Sequence, residues 1–346
     1  MNIAFVITSL SNKGPVIVIK DIISNLPKNW DVTIYYFDDI NEVSFPSSVK
    51  LVKVRSFLSN FDLSSHDIVH SHLLRADIFC WYNKKNIKIH MSTIHADIAT
   101  DLQISHGYFI GAIASLIWTY ILKSAEHIVF LTNLQRDKYT KLKTNSVIHN
   151  GRPAFQGNVK PDEKIYKIKD EYSSYTMLGA CANVVKRKGF DQVIDFLARE
   201  EGKYFIFVLV GDGPHLENIK KYAQDLGVYT RCFFVGKTTD VHTFLCMFDI
   251  FVMTSHSEGM PLALLEAASN KLPIVCSDLP VIKEIFYSDE VSFYNVGDIN
   301  SLSNAIKIAN ANKTIFSSKV HNKFIQCYTD VVMSNRYQEL YLKLKK

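Results

Sequence analysis

The chain has 346 residues, 47% hydrophobic and 21% charged, with no low-complexity run or internal repeat. This size and composition exclude a disordered or fibrous protein and fit two soluble globular domains. The net charge of +5 lies in residues 1–160, which contain 17 Lys and Arg against 12 Asp and Glu, whereas residues 161–346 contain 22 of each. Such an excess favours a polyanion or an anionic membrane surface as partner, although an ordinary solvated surface explains so small an imbalance equally well.

Apolar, strand-like runs alternate with helical patterns along the chain. In the first half they lie at 3–8, 32–37, 67–72, 87–94, 127–132 and 145–150, and in the second half at 175–182, 204–211, 232–236, 250–255 and 272–277. Continuous apolar runs separated by helices predict parallel sheets covered on both faces. The first run, in "MNIAFVITSL", predicts a strand rather than a signal peptide. The series breaks at 152–172, a polar segment containing proline, which predicts a linker between two doubly wound domains.

Ligands of doubly wound sheets bind beyond the carboxyl ends of the strands, so the cleft between the two domains is the expected site. The cysteines are scattered and form no C-x-x-C pair, which predicts buried, reduced thiols rather than disulfides or a zinc site. They are Cys80, Cys181, Cys232, Cys246, Cys276 and Cys327. The "HSH" at 70–72, with His66 before it, allows a metal cluster, but a strand end that supports the cleft explains it better.

Residues 104–122, "ISHGYFIGAIASLIWTYIL", contain no Lys, Arg, Asp or Glu. Their length is near the minimum for a transmembrane helix, but a spanning helix inside a domain whose strands continue afterwards is improbable. Two alternatives remain: a helix buried in the first domain, or a helix lying on the membrane surface with Trp118 and Tyr120 among the headgroups. The second alternative, combined with the charge excess, predicts a protein bound to the cytoplasmic face of the membrane.

Two loops of the second half carry candidate anion-binding groups. "CANVVKRKGFDQVI" (181–194) places Lys186, Arg187 and Lys188 between a strand and a helix, where cations can neutralise a departing diphosphate. A solvated charge run is the alternative, more so for Lys186 and Arg187 than for Lys188. "GDGPHL" after the strand at 204–211 lacks the third glycine of a dinucleotide fingerprint, so a nicotinamide cofactor is a poor interpretation.

The stretch "SEGMPLALLEAASNKLPIVCSD" (257–278) places two glutamates around a predicted helix start. Pro261 suits a first helical turn, and the free N–H groups there form an anion site. Glu258 lies outside the helix, and Glu266 follows roughly 7 Å along its axis. The two carboxylates can therefore reach different parts of an extended ligand such as a nucleotide diphosphate sugar. A glutamate that only complements the helix dipole is the alternative for Glu266.

The second half, "LVGDGPHLENI…FFVGKTTDV…DIFVMTSHSEGMPLALLEAASNKLPIVCSDLPVIKEI", resembles the retaining GT-B glycosyltransferases of family four. The E-x7-E signature of that family is matched by Glu258 and Glu266. "SNKGPVIVIKDIISNL", "DIVHSHLLRAD", "STIHAD" and "VIHNGRP" extend a looser resemblance through the first half. The resemblance implies an α/β GT-B fold, with two doubly wound Rossmann-like domains facing each other across a cleft. We expect an acceptor domain at 1–155, a linker at 156–172, a donor domain at 173–325, and a helix at 326–346 that returns to the first domain.

The resemblance also implies roles for individual residues. Glu258 would hold the donor sugar, Glu266 the ribose and Lys188 the diphosphate. His95 would lie near the reacting sugar, and Gly14 would approach the phosphates from the first domain. Further donor-binding candidates are Asn183, Arg187, Gly211, Gly213, Gly259, Met260, Pro261 and Leu262. Asn183 stands where the family commonly carries arginine, so Arg187 or Lys186 would supply that charge.

The implied activity is transfer of a sugar, with retention, from a nucleotide diphosphate sugar, more often UDP-linked, to a saccharide or lipid-linked acceptor. Surface polysaccharide synthesis, of capsule or lipopolysaccharide, is the expected setting. The two glutamates are expected to be too far apart for a covalent glycosyl-enzyme pair. Since the sequence lacks a D-x-D motif, no divalent metal is expected, nor any other cofactor or nucleic-acid partner. The alternatives are a nucleotide-sugar epimerase of the same fold and an inactive nucleotide-sugar-binding protein.

Overall fold

A computed structural model describes residues 1–95, 97–98, 107–142, 144–157 and 159–346 of the chain. The chain divides into two compact units. The first unit comprises Met1–Pro153 together with Tyr328–Lys346, and the second comprises Ala154–Cys327. The C-terminal segment thus belongs to the same unit as the N-terminal half of the chain.

The first unit is built on a parallel sheet, seven-stranded in the part of the chain that the structure describes, in the order β3-β2-β1-β4-β5-β6-β7. Its strands are β1 Asn2–Leu10, β2 Asp31–Asn41, β3 Lys50–Lys53, β4 Ile68–His72, β5 His90–Ile94, β6 His127–Phe130 and β7 Asn145–Val147. Its helices are α1 Gly14–Ser24, α2 Leu74–Tyr82, α3 Tyr108–Leu122, α4 Asn133–Lys138 and, at the C-terminus, α13 Asp330–Lys345.

The second unit is built on another parallel sheet, six-stranded among the described residues, in the order β10-β9-β8-β11-β12-β13. Its strands are β8 Thr176–Cys181, β9 Phe205–Val210, β10 Cys232–Gly236, β11 Ile250–Met253, β12 Ile274–Ser277 and β13 Ser292–Tyr294. Its helices are α5 Glu163–Glu171, α6 Asp191–Leu197, α7 Leu216–Asp225, α8 His242–Leu245, α9 Leu262–Ser269, α10 Pro280–Ile285, α11 Ile299–Ala311 and α12 Lys313–Cys327.

The apolar runs of the sequence form the central strands, as both faces of each sheet are covered. In β9, for example, five consecutive residues from Ile206 to Val210 are at most 2% exposed. Several helices are capped at their N-terminus by a side-chain oxygen. Asp298, for example, accepts hydrogen bonds from the N–H groups of Asn300 and Ser301 at the start of α11. Apolar strands bounded by capped helices are the pattern that a doubly wound unit requires.

The segment expected to be a linker, 156–172, is not extended throughout. Residues Glu163–Glu171 form helix α5, capped by the Asp162 side chain, with Ile165 fully buried in the second unit. Lys169 also pairs with Asp249 at 2.5 Å. A short helix that buries only one apolar residue is polar over most of its surface, and this explains why its sequence resembles a linker.

Two further expectations need correction or delimiting. Cys246 is exposed and Cys327 partly exposed, so only four of the six cysteines are buried thiols. Of the uncharged segment 104–122, residues 104–106 lie outside the described residues, and α3 begins at Tyr108. Within the described ranges, no helix has the length and hydropathy needed to cross a membrane.

Helix α13 packs on α1 of the first unit. The Ser334 hydroxyl donates to the Ile22 carbonyl at 3.0 Å, and the Gln338 amide donates to the Asn25 carbonyl at the same distance. Tyr337 and Tyr341 of this helix are fully buried. The C-terminal helix therefore completes the core of the first unit.

A buried carboxylate links two helices to the sheet of the first unit. Asp77, on α2, accepts hydrogen bonds from Ser71 of β4 at 2.5 Å, from Ser92 of β5 at 2.7 Å and from Trp118 of α3 at 2.6 Å. Burial raises the pKa of Asp77 to about 6, although the hydrogen bonds oppose the increase.

We predict that Asp77 makes the stability of the first unit depend on pH. Because its folded-state pKa exceeds its unfolded-state value, its contribution is fully present below about pH 4 and is lost as pH rises through about 6. Between about pH 5 and 7.5 the wild type should lose roughly 1–2 kcal/mol relative to Asp77→Asn.

Urea unfolding followed by tryptophan fluorescence measures this, since Trp30, Trp81 and Trp118 all belong to the first unit. The histidines contribute equally to the unfolding free energies of wild type and variant, so their contributions cancel in the difference. Parallel pH profiles for wild type and variant would contradict the prediction.

Candidate active site

The candidate site lies at the carboxyl edge of the second unit's sheet. Strand β8 is flanked by β9 on one side and by β11 on the other, so the strand order reverses between β8 and β11. Such a reversal point opens a crevice in doubly wound sheets, and ligands bind there. The loops that follow β8, β9 and β11 carry most of the residues singled out in the sequence.

A buried ion pair joins two of these loops. Glu258, whose side chain is 5% exposed, lies 2.5 Å from the ammonium of Lys188, which is 15% exposed. Arg187 approaches the other carboxylate oxygen at 3.4 Å, and the Ser255 hydroxyl donates to Glu258 at 2.6 Å. Lys188 and Arg187 are thus direct partners of Glu258, although the sequence assigned the cations and the glutamate to different parts of a donor.

The charge of Glu258 is stabilised by this surrounding. Burial, the largest influence, opposes ionisation, but Lys188, Arg187 and the hydrogen bonds from Lys188 and Ser255 together outweigh it and lower the pKa of the carboxyl. At neutral pH the group is therefore a carboxylate. It can accept hydrogen bonds from hydroxyl groups, and it cannot serve as a general acid.

Backbone contacts hold the two loops in register. The Arg187 guanidinium donates to the Ser257 carbonyl at 2.8 Å, and the His256 N–H donates to the Arg187 carbonyl at the same distance. Thr254 donates to the Lys188 carbonyl at 2.9 Å. Lys188 itself lies in a 3₁₀ turn, Lys186–Lys188, that ends at a glycine. The turn fixes the backbone of Lys188, and the ion pair with Glu258 holds its ammonium in place.

The glycines of the site permit close loop packing. Gly189 has φ +62°, and a Cβ there would lie 2.3 Å from the Thr254 carbonyl oxygen. A Cβ on Gly211, with φ +133°, would lie 1.9 Å from the Ala182 oxygen, and one on Gly213 would lie 2.4 Å from the Val184 oxygen. Only glycine fits such approaches.

The N–H groups of Gly211 and Gly213 are already used within the protein. Gly211 donates to the Gly236 carbonyl at 2.8 Å, and Gly213 donates to the Asp212 side chain at 2.7 Å. These two glycines therefore shape the crevice, and donation of these two N–H groups to a phosphate would require the present bonds to break.

Helix α9 starts beside Glu258. Pro261 occupies the N-cap position rather than the first turn, and both Met260 and Pro261 are buried. Leu262 is the first helical residue, and Gly259 is partly exposed. The backbone of this segment is thus the N-terminal end of a helix, where partial positive charge favours an anion.

Glu266 is half-buried in the middle of α9, and the first turn of that helix contains no acidic residue. The interpretation that Glu266 only complements the helix dipole is therefore wrong. Burial raises the pKa of the Cys181 thiol, at the carboxyl end of β8, and the negative charge of Glu266 raises it further. The Glu266 carboxylate is therefore close enough to Cys181 to act on it. Glu266 thus faces the same edge of the sheet as the Glu258 cluster.

Asn183 and Lys186 are exposed in the loop after β8. Arg187, with 42% of its side chain exposed, has room to turn from Glu258 toward a ligand. Such a movement is needed if Arg187 is to replace the arginine that the family commonly carries at the position of Asn183.

Two candidates belong to the first unit. Gly14 is the exposed first residue of α1, which follows β1. His95 directly follows β5, and its Nε2 lies 2.7 Å from His72 Nδ1 at the end of β4. Both residues lie at the carboxyl edge of their own sheet. Their contacts with a donor stay predictions.

Sequence reasoning missed the residues that support the cluster. Gln192 is buried and donates to the Gly189 and Thr254 carbonyls, at 3.1 and 2.9 Å, and accepts from Tyr294 and from the Gly297 N–H. Ser255 was missed likewise. Buried polar residues in "DQVI" and "MTSHSE" were the available signal, because burial demands partners. The metal alternative for "HSH" gains no support, as the described residues contain no cluster of at least three suitable ligands.

We predict that removing one member of the Lys188–Glu258 pair destabilises the second unit more than removing both members does. Lys188→Met leaves a buried carboxylate with the half-exposed Arg187, at 3.4 Å, as its remaining ion-pair partner among the described residues and should destabilise the second unit by about 3–5 kcal/mol. Lys188→Met combined with Glu258→Leu removes both charges and should recover most of that loss. Hydrogen exchange of the β8 and β11 amides measures both effects. Equal destabilisation by the single and double variants would contradict the prediction.

The chain is similar in sequence to known glycosyltransferases. Residues 161–326 match the family described as Glycosyl transferases group 1. The O-antigen biosynthesis glycosyltransferase WclY of Escherichia coli is 28% identical over 357 residues, covering 99% of each chain. UDP-Gal:alpha-D-GlcNAc-diphosphoundecaprenol alpha-1,3-galactosyltransferase of Escherichia coli is 25% identical over 353 residues, covering 90% of this chain and 86% of that protein.

Solved structures show the same fold. Sucrose-phosphate synthase of Thermosynechococcus elongatus has a TM-score of 0.81 at 13% identity, covering 99% of this chain and 98% of the other. Anabaena HepE, in complex with UDP and glucose, has a TM-score of 0.77 at 16% identity, covering 99% and 100%. The predicted α/β fold class, GT-B with two Rossmann-like domains, is confirmed. Residues 161–326 are therefore similar to the group 1 glycosyltransferases, and the chain is a glycosyltransferase.

Proposed function

We propose that the chain transfers a sugar, with retention of configuration, from a UDP-sugar to a lipid-linked saccharide of a surface polysaccharide. The observation that carries the donor half of this proposal is the cluster of Glu258, Lys188 and Arg187 at the reversal point of the second sheet. It offers an acceptor for sugar hydroxyls beside cations for a diphosphate. HepE, whose solved complexes contain UDP and UDP-glucose, supports the choice of base.

The acceptor half rests on the relatives. WclY is an O-antigen biosynthesis enzyme, and the galactosyltransferase is named for a sugar carried on diphosphoundecaprenol. The first name describes synthesis of a surface polysaccharide, and the second names a lipid carrier. A lipid-linked acceptor places the reaction at a membrane surface, and we propose a peripheral, cytoplasmic-face location for this chain.

In the proposed reaction the bond between the sugar anomeric carbon and the diphosphate oxygen breaks, and the acceptor oxygen bonds to that carbon. The acceptor proton passes to the departing diphosphate on the same face of the sugar. Lys188 and Arg187 neutralise the charge that develops on the leaving group. Glu258, held ionised, accepts hydrogen bonds from the donor sugar's hydroxyls and fixes its orientation.

The remaining residues are proposed to bind the donor. Glu266 would hold the ribose hydroxyls, and the backbone from Gly259 to Leu262 would contact the sugar and diphosphate with the positive end of α9. Three positive contributions, from two side chains and a helix end, supply the electrostatic stabilisation that a metal ion supplies in other transferases. We therefore propose metal-independent transfer.

We predict that Glu258→Gln lowers kcat/KM by about 10²-fold, because hydrogen bonds to a charged group are worth roughly 1.5–3 kcal/mol and the cations lose their partner. Release of UDP from candidate UDP-sugars, with and without a lipid-linked acceptor, measures it. The anomeric proton coupling of the product reports retention or inversion.

Glu200→Gln is the matched control, since Glu200 is an exposed glutamate of the same unit whose ion-pair partner is Lys203, at 3.3 Å. It should leave the rate unchanged. Acceptor-independent turnover would favour an epimerase, binding without turnover in the wild type would favour an inactive binding protein, and an inverted product would remove the retaining mechanism.

A further inference from the structure

Helix α3 of the first unit presents an uncovered apolar face. Six large side chains on it are each more than half exposed, with Phe109 at 81% and Leu116 at 72%. They are Phe109, Ile110, Ile113, Leu116, Ile117 and Tyr120. The helix contains no charged residue from end to end. Contiguous apolar surface of this kind marks a site of interaction on a soluble protein.

The opposite face of α3 is fixed in the core. Trp118 and Leu122 pack with Ile94, Ile128 and Phe130. Trp118 also donates to the buried Asp77 at 2.6 Å. The helix is thus apolar on both faces; among the described residues one face packs in the core and the other is exposed. The exposed face cannot turn inward without breaking this anchorage.

Lysines and aromatic residues border one end of the apolar face. Lys84, just after α2, bonds both carboxylate oxygens of Glu126, just after α3, so the C-terminal ends of the two helices are neighbours. Exposed Trp81 and Tyr82 end α2. Lys123 and Lys141 line one surface cavity at the end of α3. Aromatic residues beside lysines are typical of the headgroup layer of a membrane.

We propose that this α3 face docks the chain onto a lipid surface that carries anionic headgroups. A helix of 15 residues is about 22 Å long, shorter than the roughly 30 Å of a bilayer core, so α3 lies along the surface. The first unit contains 20 Lys and Arg against 14 Asp and Glu, which complements an anionic surface and disfavours a second copy of itself. The reason for docking, a lipid-linked acceptor, rests on the proposed function.

Vesicle flotation tests the docking without any need for activity. The full chain should float with vesicles of phosphatidylcholine and phosphatidylglycerol, and less with phosphatidylcholine alone or at high salt. Phe109→Ser combined with Leu116→Ser should weaken binding tenfold or more, because two large apolar side chains leave the lipid.

The control is Tyr287→Ser with Ile315→Ser, which removes two exposed apolar side chains of the second unit and should leave flotation unchanged. Absence of flotation for the wild type, or equal binding by the α3 variant, would overturn the docking proposal. A concentration-dependent dimer in sedimentation that the α3 variant abolishes, without flotation, would assign the face to a second copy instead. Turnover of a water-soluble acceptor, measured separately, tells failure of docking from failure of the proposed function.

A separate observation concerns the buried histidines at the end of β4. His72 is fully buried, its Nδ1 lies 2.7 Å from His95 Nε2, and its own Nε2 has no hydrogen-bond partner among the described residues. A neutral imidazole carries one N–H and one bare nitrogen. A buried N–H without an acceptor is rarer and costlier than a bare acceptor, so the His72 proton belongs on Nδ1.

We infer that His72 is a positioning residue that makes His95 a hydrogen-bond donor. If His72 Nδ1–H donates to His95 Nε2, then the proton of neutral His95 is on its Nδ1. His95 then offers an N–H to a ligand oxygen and has no free lone pair with which to act as a base. Burial lowers the pKa of both rings, His95 to about 3, which agrees with two neutral imidazoles.

Long-range ¹H–¹⁵N spectra of histidine-labelled protein test the tautomers directly. The expected result is a proton on Nδ1 for both His72 and His95; a proton on Nε2 of His95 would overturn the inference whatever the enzyme does. This inference rests on the proposed function only for its effect on catalysis.

His72→Asn and His72→Leu extend the test to turnover. The asparagine amide N–H can replace the Nδ1–H, so His72→Asn should keep kcat within a few-fold of wild type. His72→Leu should lower kcat about tenfold, the cost of one lost orienting hydrogen bond, with little change in KM. Equal loss in both variants would reduce His72 to a packing residue.

Discussion

The candidate site depends on a carboxylate that is almost removed from water. An ionised Glu258 at 5% exposure would cost several kcal/mol without partners. Lys188 and Arg187 supply the opposite charge, and their loop can reach Glu258 only because Gly189 lets it pass within contact distance of the strand β11 loop. The need to compensate one buried charge therefore shapes two loops at once. Both cations are already in place where we propose that a diphosphate binds.

Much of this architecture could be predicted from the sequence, because continuous apolar runs can be buried on both faces only in a parallel sheet. The spacing of Glu258 and Glu266 marked the site, since a carboxylate amid leucines needs a partner. Helix α5 was missed because its one buried residue, Ile165, gives too weak a periodic signal. The role of Gln192 was missed because two of its four hydrogen bonds, from Tyr294 and from the Gly297 N–H, come from residues more than 100 positions away in sequence.

The sequence also suggested cations in separate contact with a diphosphate, whereas the structure pairs them with Glu258. Pairwise contacts between loops depend on side-chain rotamers and loop register, which motif spacing does not specify. The same limit applies to Gly211 and Gly213. Their glycine identity was a signal for a tight turn, but only coordinates show that their N–H groups are bonded within the protein.

The two units differ in net charge. The second unit, with 19 Lys and Arg against 20 Asp and Glu, is nearly neutral overall, and two of its cations, Lys188 and Arg187, pair with Glu258 at the crevice. The first unit carries the whole positive excess and the uncovered face of α3. A nearly neutral second unit and a basic first unit with an exposed apolar face suit the proposed reaction, in which a water-soluble donor meets an acceptor held in lipid.

The position of α13 has a consequence for how the chain folds during synthesis. Tyr337 and Tyr341 of α13 are buried in the core of the first unit, which also contains Met1–Pro153. The first unit can therefore reach its final packing only after α13 has emerged from the ribosome. The second unit, contiguous from Ala154 to Cys327, has all its residues available earlier. The half of the protein made first is thus the half finished last, and a nascent chain stalled before α13 would offer its open core to chaperones.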